Sequence, residues 1–113
     1  GEPPNKQKAE SQVKQLLETG RISSAAVLDN EGNTIFAAPS TLSIGKKEAQ
    51  VVLKGFEEPE PIMAIGTIVA GTKYMTLRVT PELIVGKHGT SGVACFKSGN
   101  SVLIGLHDEK STV

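Results

Sequence analysis

From Ile62 to Asp108 the chain reads as five short apolar segments: IMAIGTIVA, KYMTLRVT, ELIVGKHG, GVACFKSG and SVLIGLHD. Pro81, Gly89, Gly92 and Gly99 supply the breaks between them. Segments of this kind, rich in β-branched residues and closed by glycine or proline, are strands joined by turns. Strands joined so closely run antiparallel, so this half of the chain reads as a meander.

The first half adds two helices and a hairpin. Ala9 to Thr19 carries Val13, Leu16 and Leu17 at helical spacing, with Gly20 as its stop. ISSAAVLDNEG is a strand entering a turn at Asp29 to Gly32, and NTIFAA returns beside it until Pro39 and Ser40. GKKEAQVVLKGF aligns Ala49, Val52, Leu53 and Phe56 on one stripe, a second amphipathic helix that the proline-bearing EEPEP ends. The plan is α+β, an antiparallel sheet with helices packed on it. The polar opening, GEPPNKQKAE, lacks the apolar core of a signal peptide, and residues 1–8 read as a flexible tail before one domain over 9–113.

Composition bears on partners. Twelve basic and twelve acidic side chains cancel, so no global field draws this 113-residue chain toward nucleic acid, and electrostatic recognition must be local. The single Cys95 cannot form an internal disulfide, and no cluster has metal-ligand spacing, so no cofactor is expected. Catalysis needs converging titratable groups. His88 and His107 lie at turns or strand ends, alternation makes Cys95 half-buried packing, and GKHGTSG does not join a strand to a helix as a phosphate loop would. Binding is favoured over chemistry.

The stretch IGTIVAGTKYMTLRV concentrates the binding signal. A small step, Ala70-Gly71, breaks it, after which Lys73, Met75 and Leu77 alternate onto one side. Arg78 would need twist or a strand end to join them. Tyr74 points the other way, a core tyrosine whose hydroxyl reaches a partner.

FEEP at Phe56–Pro59, GTKYM at Gly71–Met75, GKHGTSG at Gly86–Gly92 and FKSGNSVLIG at Phe96–Gly105 together resemble the profilin family, its plant-type members most nearly. Weaker similarity runs back through AAVLDNEG, covering most of Ser24 to Leu106. The resemblance implies a central antiparallel sheet of about six strands, with an N-terminal helix on one face and a short helix on the other. It implies a non-enzymatic, cytoplasmic regulator of polymerisation that binds monomeric actin. Carried over by motif, the actin-binding residues would be Lys73, Met75, Thr76, Arg78, Lys87, Cys95 and Lys97. The same lysines would meet anionic phospholipid head groups such as phosphoinositides. Phe36 falls where the family has a tryptophan for proline-rich ligands.

Two departures stand out. AESQVKQLLET has no aromatic residue, and the chain has no tryptophan, so the polyproline site reads as weak or degenerate. The sequence stops at Val113, where the family begins a C-terminal helix, and that helix is expected to be absent from this chain. Such departures fit a divergent, archaeal (Asgard-type) member. They also keep open a second reading, a scaffold of profilin-like or longin/roadblock-like fold that binds another protein such as a small GTPase.

Overall fold

The computed structural model describes residues 5–108, and its first element starts earlier than hydrophobic spacing indicates. Helix α1 spans Lys6–Glu18, capped by Asn5, whose side chain accepts the Lys8 N–H at 2.7 Å. The tail expected over residues 1–8 is therefore corrected: residues 5–8 are the cap and first turn, and residues 1–4 lie outside the described residues. Lys6, Gln7 and Lys8 favour helix without contributing to an apolar stripe, so periodicity misses them while the asparagine cap defines the start. The question of a C-terminal helix likewise falls outside the described residues.

The α1 stripe behaves as its spacing requires. Ala9 and Val13 are buried, and Leu16 and Leu17 partly so, against Ala25 and Val27 of β1 (Ser24–Asp29) and Phe36 of β2 (Thr34–Ala38). The β1–β2 turn is held by Asp29, whose Oδ1 accepts the Glu31 and Asn33 N–H groups, both at 2.9 Å. Helix α2 (Lys46–Glu57) buries Ala49, Val52 and Phe56 on its one apolar side.

The proline link after α2 does more than stop it. Pro59 occupies the first turn of a further helix, α3 (Pro59–Ile65), where its missing N–H has no intrahelical role to lose. IMAI is thus helical and not the start of a strand, and strand β3 is confined to Thr67–Val69. An apolar run this short cannot be divided between helix and strand by periodicity alone.

Strands β4 (Thr72–Val79), β5 (Leu83–His88), β6 (Ser91–Ser98) and β7 (Ser101–His107) complete a seven-stranded sheet in the order β2-β1-β7-β6-β5-β4-β3. Every pairing is antiparallel. Register sorts the side chains into rows that run across six of the seven strands, from β4 to β2. Val79, Ile84, Cys95, Ile104, Ala26 and Ala37 form one row, the centre of the core beneath α2 and α3. The adjacent row, Arg78, Val85, Ala94, Gly105, Ala25 and Ala38, faces the other way. Helix α1 covers that second face only over β2, β1 and β7. A Cβ on Gly105 would lie 3.1 Å from Leu16 Cδ2, so glycine there permits the close seating of α1.

One carboxylate ties the layers together. Glu48, in the first turn of α2, accepts the Gly45 and Ala70 N–H groups on Oε1 at 3.0 and 2.9 Å, and the Gly71 N–H on Oε2 at 2.9 Å. Ala70 and Gly71 form the β3–β4 turn with φ of 52° and 80°, a conformation costly for alanine. Glu48 satisfies both turn donors and holds that strained hairpin on the helix N-terminus.

Two tests follow from this packing. Glu48→Ala should lower the urea midpoint by the equivalent of about 1–2 kcal/mol, with Glu48→Gln intermediate because an amide offers one acceptor oxygen. An unchanged midpoint for Glu48→Ala would show the clamp to be idle. Burial pushes the Cys95 thiol up to about 12, so it stays protonated well above neutral pH. An aromatic disulfide reagent at mildly alkaline pH should leave native Cys95 unlabelled and label it fully in denaturant. Rapid native labelling would contradict this core position.

Candidate protein-binding face

A β-bulge decides which residues of β4 share a face. Met75 pairs with Lys87 and Thr76 with Gly86, but Arg78, not Leu77, pairs with Val85. Leu77 is the extra residue, and it shifts the alternation by one position. Without the bulge Arg78 would point into the core. With it, Lys73, Met75, Arg78 and Lys87 project from the same side of the sheet, all exposed. This is the twist that sequence alternation alone could not supply.

The other three residues carried over for this face do not reach it. Thr76 is buried, its hydroxyl donating to the Ile62 carbonyl at 2.8 Å and lying 2.8 Å from Thr67 Oγ1. It anchors α3 to β4. Cys95 is fully buried in the core row between Ile84 and Ile104. Lys97 pairs with Val102, a core residue, so it also stands on the α2 side, with its ammonium 5.9 Å from the Phe56 ring centre. Strict alternation along β6 places Cys95 and Lys97 together, opposite the Lys87 side.

The face gains apolar members that sequence reasoning missed. β3 pairs only with Thr72 to Tyr74, so beyond that point the edge of β4 meets the end of α3. Met63, Ile65 and Met75 stand 47%, 60% and 59% exposed around an open groove of about 430 Å³. Lys73, Lys87 and His88 line the same groove. Ile68, opposite Lys73 on β3, and Leu77 at the bulge extend the apolar area. The signal was the run Ile62 to Ile65: a short surface helix buries one side, here Ile62, and must present the rest. Three large apolar side chains within a basic rim have the composition of a protein-docking surface.

Tyr74 lies behind the groove, buried as alternation implies, with its hydroxyl bonded to Thr72 and its ring edge-on to His88 at 6.5 Å. Phe36 sits on β2, at the opposite end of the sheet order, half-buried against the α1 cluster. Among the described residues no group of His, Cys, Asp and Glu could hold a metal ion, and no helix is long and apolar enough to cross a membrane.

Comparisons with known proteins agree on the family. The profilin family model matches residues 7–112. Profilin-1A of Acanthamoeba castellanii is 36% identical over 95 residues, spanning 84% of this chain and 75% of that protein. Profilin-A of Physarum polycephalum is also 36% identical, over 84% of this chain and 74% of its own length. Among solved structures, Acanthamoeba castellanii profilin IB superposes with a TM-score of 0.86 at 30% identity, covering 92% of this chain and 83% of that one. The fold is shared further, with a TM-score of 0.73 at 17% identity, by the structure of a LokiProfilin2/rabbit actin complex, over 93% of this chain and 84% of that one. With its seven-stranded antiparallel sheet, its α1 and the match across nearly its whole length, the chain belongs to the profilin family.

Proposed function

We propose that this protein binds monomeric actin through the face formed by Lys73, Met75, Arg78 and Lys87 with Met63 and Ile65, and thereby regulates polymerisation in the cytoplasm. The observation that carries the reading is the bulge at Leu77, which turns Arg78 to the same side of the sheet as Lys73, Met75 and Lys87 instead of into the core. A basic rim around exposed apolar side chains suits a partner surface that is acidic at its edge and apolar at its centre. The charges steer encounter and set register, and the apolar centre supplies contact area. The module acts by occupying the monomer and has no chemistry of its own.

Anionic phospholipid head groups fit the same lysines, so phosphoinositide binding would compete with actin. Proline-rich ligands would find little at Phe36. A polyproline II helix needs flat rings to stack on, and this ring is partly covered by the α1 cluster. Decaproline at micromolar concentration should therefore leave the heat of mixing and the phenylalanine environment unchanged. Saturable micromolar binding would refute the degenerate site.

The actin reading is tested by titrating labelled monomer. Loss of one partner from a partly desolvated charge pair costs roughly 2–5 kcal/mol. Arg78→Glu should weaken binding more than Arg78→Ala, because repulsion is added to the missing contact, and Lys73→Glu should act in the same direction. Thermal stability should stay within about 0.5 kcal/mol of the parent for each. Lys46→Glu on α2 is the control and should bind normally. Parent-like actin binding by both Arg78→Glu and Lys73→Glu would show that the face is wrong.

A further inference from the structure

Three sulfur atoms occur in this chain, and the fold separates them sharply. Cys95 is fully buried in the core row, out of reach of solvent oxidants. The only two methionines, Met63 and Met75, come from different elements, are both about half exposed, and line the same groove. Every readily oxidised sulfur is thus concentrated at one docking surface.

We propose that Met63 and Met75 form a peroxide-sensitive switch, in which their oxidation to sulfoxides weakens the partner complex; this rests on the actin-binding reading above. The chemistry needs a peroxide and nothing else. A thioether lone pair attacks one peroxide oxygen, the O–O bond breaks, and the departing oxygen leaves as water after taking up a proton. Sulfur loses two electrons and the peroxide gains them. The thioether becomes a polar sulfoxide, a change that thiol-dependent sulfoxide reductases reverse.

The structural effect is local. Both side chains lie on the surface of the free protein, so a sulfoxide stays hydrated there and the fold is not taxed. In the complex the groove closes, and a desolvated S=O group without a matched donor is penalised. Peroxide therefore changes binding without changing stability. Core methionines would give the reverse pattern, with unfolding first.

The experiment treats the isolated protein with hydrogen peroxide, removes the peroxide with catalase, and only then adds actin monomer. Peptide mass spectrometry should find one added oxygen on Met63 and on Met75 and none on Cys95, with an unchanged circular dichroism melt. The dissociation constant should rise by about tenfold or more, and a mixture of the two epimer-specific sulfoxide reductases should restore it. Whatever affinity the Met63→Leu/Met75→Leu variant, similar in volume, has for actin, peroxide should leave that affinity unchanged. Parent protein carrying both sulfoxides yet binding like the reduced form overturns the switch alone. So does an equal peroxide-induced loss in the leucine variant. Reduced parent that binds no actin at all overturns the actin reading, and the switch with it. Because the parent is both oxidised and repaired, the result does not depend on the leucine variant folding.

Discussion

Antiparallel register is the constraint on which the rest of this protein depends. Once Arg78 is opposite Val85, and Val85 opposite Ala94, the row continues through Gly105 and Ala25 to Ala38. No member can change face without moving its neighbours. The next row, through Cys95, is committed to the core in the same way. A side chain's availability to a partner is therefore a property of its row, and only an irregularity in the ladder can reassign it. The bulge at Leu77 is such an irregularity, placed in the strand that bears the basic residues.

Two polar devices fix where that strand lies relative to the helices. The Thr76 hydroxyl, in the core beneath β4, joins the Ile62 carbonyl to Thr67 and so seats α3 against the strand. Glu48 grips the turn on the other side of β3 and ties it to the start of α2. Between them the short β3 is anchored at both ends, and Ile65, Ile68, Lys73 and Met75 inherit defined positions. A three-residue edge strand could not hold such a surface by its own ladder.

Much of this is legible in the sequence itself. Val13, Leu16 and Leu17 at helical spacing and Tyr74 pointing away from Lys73 follow from periods of 3.6 and 2, and the Asp29–Gly32 turn from its Asp, Asn and Gly residues. Lys73, Met75 and Lys87 could be placed on one surface by alternation and motif. What failed has a common cause. Motif matching carries residues over by position in the chain, but face depends on parity, so it puts Thr76, Cys95 and Lys97 on a surface from which their side chains turn away. Arg78 shows the converse, since parity excluded it and the bulge restored it. Bulges leave no sharp trace in a sequence, and neither does a single-turn choice between helix and strand over Ile62 to Ile65. The asparagine cap at Asn5 was visible in principle, but an apolar stripe that begins at Ala9 draws attention past it.

The groove also illustrates why a small domain keeps large apolar side chains in water. Met63, Ile65 and Met75 commit only part of their apolar surface to the folded monomer, because each leaves about half of it exposed. At about 25 cal/mol per Å² of apolar surface, the exposed half of each would contribute only when a partner covers it. Met63 and Ile65 come from a helix whose single fully buried anchor is Ile62, so the outward side of α3 is free of any packing duty. Met75 stands across the sheet from the Thr76 side chain that holds that helix in place. One strand thus secures the helix with its inward residue and lines the groove with its outward one. Lys73, Arg78 and Lys87 give this side of the sheet a local positive charge, which suits the acidic partner proposed above. Packed and exposed residues thus lie on opposite sides of β4, so the surface residues can vary without disturbing the core row that fixes them in place.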